Sequence, residues 1–175
     1  KYLIFDFLAA AISWTLFYIY RKEVIEPIKF GYDIPLEFTK QYFNGLLLIP
    51  SAWLLFYFIT GFYNNIYRRS RLLELGQTLL TSLIGVTGIF FVLLLDDTVY
   101  SYKIYYQLYF NLLILHFSFT YFFRLLLTSQ TIRKIHKRKI GFNTLIIGNN
   151  EKAVKIFHEM NTQPRPAGNK FCGYI

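Results

Sequence analysis

Cysteine is almost missing. Cys172 is the only one in the chain, so no internal disulfide can form and no metal cluster can be built from thiolates. Histidine is nearly as scarce, and His116, His136 and His158 are too scattered to suggest a metal site. Charge is thin as well: Asp, Glu, Lys and Arg make up 17% of the residues, against about a quarter in soluble domains. No Ser/His/Asp, Cys/His or zinc-ligand constellation is visible, so the sequence assigns no catalytic residue and no metal ligand.

What the chain has in excess is oil. Hydrophobic residues make up 54% and aromatics 21%, and they come in long runs. Four runs stand out: Tyr2–Tyr20, a charge-free stretch within Gln41–Tyr67 that contains Pro50, Leu75–Leu95, and Ile104–Phe123. Each approaches or exceeds the roughly 20 residues that a helix needs to cross a hydrocarbon core of about 30 Å. Lipid offers the backbone no hydrogen-bond partners, so each run is expected to be a helix. Tyr, Trp and Phe crowd the ends of the runs, as interfacial anchors do. The chain opens at Lys1 rather than Met, so a segment is expected upstream. The first run is not read as a cleaved signal peptide, because it lacks a small-x-small site and further spans follow.

The net charge of +9 has an ordered placement. Arg68, Arg69 and Arg71 lie between the second and third runs, and Arg124, Arg133, Lys134, Lys137, Arg138 and Lys139 follow the fourth. Between the third and fourth runs Lys103 stands alone beside Asp96 and Asp97. The distribution of Lys and Arg puts the 68–74 loop and the C-terminal tail in the cytoplasm, with both termini inside. The first loop, 21–40, fits least well, since Arg21, Lys22, Lys29 and Lys40 fall on the expected outer side. Charges that flank hydrophobic runs point to an anionic leaflet as their partner and not to nucleic acid. The basic run after span four is read as a helix that continues the span into the interface and ends near Gly141; a solvated connector is the competing reading.

After Gly141 the composition turns to that of a soluble α/β protein. The run 142–148, FNTLIIG, suits a buried strand. Residues 151–160, EKAVKIFHEM, put Ala153, Ile156, Phe157 and Met160 on one helical face, and 170–175, KFCGYI, reads as a second strand. This is β-α-β, the opening of a mononucleotide-binding fold. The fold class is therefore a mainly α membrane protein, with four transmembrane helices followed by a partial, Rossmann-like α/β unit. The domains are 1–123 (transmembrane), 124–141 (basic juxtamembrane helix or linker) and 142–175 (truncated Rossmann-like). The Gly-x-Gly-x-x-Gly positions are filled by Gly148, Asn150 and Ala153. Asn150 puts a side chain where a phosphate would press, so a turn that binds nothing is set beside a nucleotide site built on Gly148, Asn149 and Asn150.

Two stretches carry a resemblance. GFYNNIYRRSRLLELGQTL after span two, and TIRKIHKRKIGFNTLIIGNNEKA followed by GNKFCGYI, resemble the N-terminal region of bacterial polyprenyl-phosphate hexose-1-phosphate transferases. These enzymes start capsule, exopolysaccharide or O-antigen synthesis. The resemblance implies an enzyme of the bacterial inner membrane that moves a sugar phosphate from a UDP-sugar to undecaprenyl phosphate with Mg²⁺. It also implies that the chemistry lies in a further C-terminal domain, so residues 1–175 are expected to be a fragment that holds no cofactor and transfers nothing alone. The lipid bilayer is a direct partner; a homo-oligomer is left open. Two alternatives stand beside it: the anchor of a nucleotide-sugar dehydratase or epimerase, and a non-enzymatic four-span scaffold.

Within the spans, Asp6 is expected to play a structural role by reaching the interface from near a helix end. His116, in mid-span, is expected to be neutral and hydrogen-bonded to a neighbouring helix. Asp96 and Asp97 are read as outward-facing punctuation. Gly85 and Gly88 are not four apart, so they form no G-x-x-x-G motif, although close helix approach stays open.

Overall fold

The computed structural model describes residues 1–32, 35–64, 70–94, 102–148, 150–163 and 168–174. Arg68, Arg69, Asp96, Asp97 and Asn149 lie outside the described residues. The chain divides into two compact units, Lys1–Leu127 and Thr128–Ile175.

The first unit is helical. Helix α1, Tyr2–Tyr20, passes without a break through a π-helical turn, Arg21–Ile25, into α2, Glu26–Phe30. Gly31 ends this helix in the left-handed conformation, and its N–H bonds the Pro27 carbonyl. The first loop is therefore helical for about its first half, where Lys22 and Glu26 form an i,i+4 ion pair at 2.8 Å. Helix α3 is Lys40–Ile59, with Pro50 in its interior. Helix α4 is Arg71–Leu94 and starts a turn earlier than its hydrophobic run, since Arg71 and Glu74 need no lipid to be helical. Helix α5 runs unbroken from Tyr102 to His136.

Among the described residues, four helices are long and apolar enough to cross a membrane. The burial pattern suits that reading. Leu47, Leu48, Phe58, Leu80, Val92 and Ile114 are exposed, whereas Thr78, Ser82, His116, Thr120 and Arg124 are buried. Apolar outside and polar inside reverses the usual arrangement in water, and it is what lipid solvent selects. The core itself is aromatic, built on Trp14, Phe17, Tyr18, Tyr42, Trp53, Tyr57 and Phe62 with Val86 and Leu112.

Two glycines let these rings lie against the backbone. Trp14 of α1 sits over Gly45 of α3, and Trp53 of α3 sits over Gly85 of α4, each where a Cβ would collide with the indole. Small residues open such close approaches between membrane helices. Gly85 thus serves close packing through an indole that fills its gap, without the four-residue spacing.

The second unit takes in the end of α5, strand β1 (Phe142–Ile146), helix α6 (Glu151–Thr162) and strand β2 (Asn169–Tyr174). Helix α5 stops at His136, earlier than Gly141. Arg138 adopts φ 54°, and the N–H groups of Arg138 and Lys139 bond the Ile135 and Lys134 carbonyls. This closes the helix as a Schellman turn with arginine in the place glycine usually takes. Gly141 instead leads directly into β1. The strands pair in parallel, Phe142 opposite Asn169 and Thr144 opposite Phe171, and the register then shifts so that Leu145 faces Gly173. Phe157 of α6 packs edge-on against Phe171 at 5.2 Å. The β-α-β order is present with two strands among the described residues.

Candidate functional site

Two places invite a functional reading: the turn between β1 and α6, and a polar cluster inside the helical unit.

At the turn, Gly148 has φ 144°, a conformation open to glycine and strained for other residues. Asn150 is the N-cap of α6, and its side-chain oxygen accepts the Ala153 N–H at 3.1 Å. A phosphate bound at a helix N-terminus draws on those same early N–H groups. Glu151 follows in the first turn, where its negative charge suits the helix dipole and repels an anion. The Asn150 side chain therefore takes up one of the early N–H groups itself. Gly148 and Asn150 are brought together as the spacing suggests, on one hollow with Ile146, His158 and Phe171.

The polar cluster is denser. Arg124 is fully buried, and so is Asp6. The guanidinium meets the carboxylate side-on: Nε donates to Asp6 Oδ1 at 2.8 Å and Nη2 to Oδ2 at 3.1 Å. Nη1 donates to Thr78 Oγ1 at 3.1 Å, and the Tyr63 hydroxyl donates to Asp6 Oδ2 at 3.0 Å. Two rings close over the cation, with the guanidinium carbon 3.6 Å from the centre of Phe62 and 4.2 Å from that of Tyr57. Burial, with the adjacent carboxylate, holds the Tyr63 phenol above its ordinary pKa. Tyr63 therefore stays a neutral donor.

A second group lies alongside. The Tyr57 hydroxyl and His116 Nε2 share a 2.9 Å hydrogen bond, and Thr120 Oγ1 lies 3.4 Å from the same nitrogen. The imidazole is stacked on Trp53, centroids 3.7 Å apart and planes 14° apart. Tyr57 joins the two groups, since its hydroxyl serves His116 while its ring face serves Arg124.

Local sequence explains the convergence. His116, Thr120 and Arg124 recur every fourth residue and so share one stripe of α5; Thr78 and Ser82 share one of α4, and Trp53 and Tyr57 one of α3. Chemically, the cluster pairs one cation with one anion and fills the remaining geometry with neutral donors and aromatic faces. An ion taken out of water needs that kind of satisfaction. Every guanidinium nitrogen has a partner, so the site is built to hold helices together.

Asp6 is structural as expected, but it does not reach the interface; it is neutralised inside the bundle. His116 bonds a neighbouring helix as expected. Arg124 was counted among the basic residues that mark the cytoplasmic side, and the structure places it in the core instead. Its proximity to the end of an apolar run hid its role; the four-residue spacing from His116 and Thr120 was the available signal. Tyr57, Tyr63 and Thr78 gave none that an ordinary span lacks. Among the described residues no three of His, Cys, Asp and Glu gather as a metal-binding set.

The chain matches no family model, no curated protein and no solved structure.

Proposed function

We propose that these residues form the membrane anchor and the start of the Rossmann-like middle domain of a bacterial inner-membrane transferase. That enzyme would move a sugar 1-phosphate from a UDP-sugar to undecaprenyl phosphate. The observation that supports this reading best is the order of parts: four apolar helices lead through a basic segment into a parallel β-α-β unit. The residues quoted above, from the Gly-Phe-Tyr after span two to the Gly-Tyr-Ile at the end, lend it their resemblance.

In this reading the work of residues 1–175 is to anchor and to hold. The interior of the helical unit is sealed by the Asp6–Arg124 pair, and the β1–α6 turn is closed by its own cap. Phosphoryl transfer needs electrostatic stabilisation of a crowded negative charge, and Mg²⁺ supplies it in the family resembled. In this reading, as the resemblance implies, that ion and the chemistry belong to a further domain of the protein.

The test uses membranes that carry the whole protein. With labelled UDP-sugar and undecaprenyl phosphate, the expected products are polyprenyl-diphosphate-linked sugar and UMP in equal amounts. UDP release in place of UMP would mean a transfer of the sugar without its phosphate, and an unchanged lipid fraction with a modified UDP-sugar would identify a dehydratase or epimerase. Either result overturns the proposal.

A further inference from the structure

The connection between the first two spans carries an inference of its own, which rests on the reading of α1 and α3 as membrane-spanning. Residues 35–39 form neither helix nor strand, and Thr39 at their end is extended. They do not stand away from the bundle. The Tyr18 hydroxyl donates to the Glu37 carbonyl at 2.9 Å and lies 3.2 Å from Thr39 Oγ1. The Phe38 ring stacks on Tyr18 and packs against Tyr42 at 4.7 Å. Tyr18 belongs to α1, inside the apolar stretch long enough to cross a bilayer. The chain therefore leaves α2 and comes back alongside α1, to the level of the last turn of α1.

Outward from this line large apolar side chains are exposed beside Glu37, Lys40, Gln41 and Asn44. Leu36, Phe38 and Phe43 are 38%, 48% and 57% exposed, and Leu47, one turn beyond Phe43, is 66% exposed. Apolar and polar groups are thus both presented where the connection joins α3, and large apolar side chains exposed together mark an interaction surface. Lipid-exposed backbone outside helix and strand, however, cannot lie in hydrocarbon, where its N–H and C=O groups would lack partners. Glu37 and Lys40 in the same stretch need water or headgroups. Only the headgroup–acyl boundary satisfies the backbone, the charges and the rings together.

We propose that residues 35–43 form a lipid-binding bracket that lies in that boundary at the Tyr20 end of α1, with Leu36, Phe38 and Phe43 set among the lipids. The bracket fixes the depth of the first span from the side, and it holds a connection rich in Phe and Tyr out of the water.

The experiment places an environment-sensitive fluorophore on single cysteines at Leu36→Cys, Phe38→Cys and, as a control, Leu48→Cys. The whole protein is used with Cys172→Ser, in phosphatidylcholine–phosphatidylglycerol vesicles. The expected result is quenching at 36 and 38 by a shallow lipid-borne doxyl group, weaker quenching by a deep one, and little by aqueous iodide. The label at 48 should respond to the deep group. Strong iodide quenching at 36 and 38, with 48 still lipid-quenched, overturns the bracket alone and leaves the spans in place. Shielding of 36 and 38 from all three quenchers overturns it in favour of a protein contact, such as a second copy. A label at 48 that answers to iodide overturns the membrane reading and the bracket with it.

Discussion

Arg124 and Asp6 are 118 positions apart in sequence and 2.8 Å apart in space. The pair fastens the first long helix to the last, and neither group has access to solvent. Breaking a buried pair by removing one partner leaves a charge with no compensation and costs about 3–5 kcal/mol, whereas removing both charges together costs far less. Asp6→Asn and Arg124→Gln should each destabilise the helical unit by about that amount, and the double variant should recover much of the loss. Thermal or denaturant unfolding in detergent measures it. Additive losses in the double variant would mean that the two side chains do not act as a pair.

The indole on Gly85 gives a sharper packing test. Gly85→Ala puts a methyl where the Trp53 ring lies, and overpacking of this kind costs about 1–3 kcal/mol. Gly88→Ala, one turn along and facing open space, should leave stability unchanged or raise it. Pairing Gly85→Ala with Trp53→Leu should relieve part of the first loss. Melting temperatures of the three variants decide it, and equal effects at 85 and 88 would contradict the packing.

Tyr57 has two duties that substitution can separate. Tyr57→Phe removes the bond to His116 and keeps a ring over Arg124, so a cost of about 0.6–1.7 kcal/mol is expected, as for other interhelical hydrogen bonds in membranes. Tyr57→Leu removes the ring as well and should cost more, by about 0.5–2 kcal/mol. Unfolding free energies in detergent check the order.

At the other end of the chain, Asn150→Ala removes the cap of α6 and should cost about 1 kcal/mol, while Asn150→Asp should retain it. Amide exchange at Ala153 and Val154 reports it directly. Nucleotide titrations on the same variants show whether the turn also holds a phosphate, in which case Asn150→Gly should tighten binding.

The long helices were legible because lipid imposes a simple rule: about 20 apolar residues with no charge. The first helix starts at Tyr2 as that rule gave it, in spite of Asp6, but it continues past Tyr20 to Phe30. The rule bounded only the apolar part of α5; the basic continuation was read as far as Gly141, and the helix ends at His136 because the turn at Arg138 closes it. The arginine itself was unreadable for a related reason. A basic residue just past an apolar run looks like a topology signal unless its partner is known, and Asp6 lies at the far end of the sequence. His116 was easier, because a mid-span imidazole needs a neighbour whatever the fold. The β-α-β order followed from local pattern, whereas Glu151, whose charge repels an anion from the first turn of α6, was passed over.

The distance in sequence between Asp6 and Arg124 has a consequence for biogenesis. Synthesis at about 5–20 residues per second leaves roughly 6–24 s between the appearance of the first and the last of the pair. During that time α1 stands in the membrane with the arginine that its acid will hold not yet made. The arrival of α5 therefore fastens the first span to the fourth, so the bundle can lock only once its last long helix is in place.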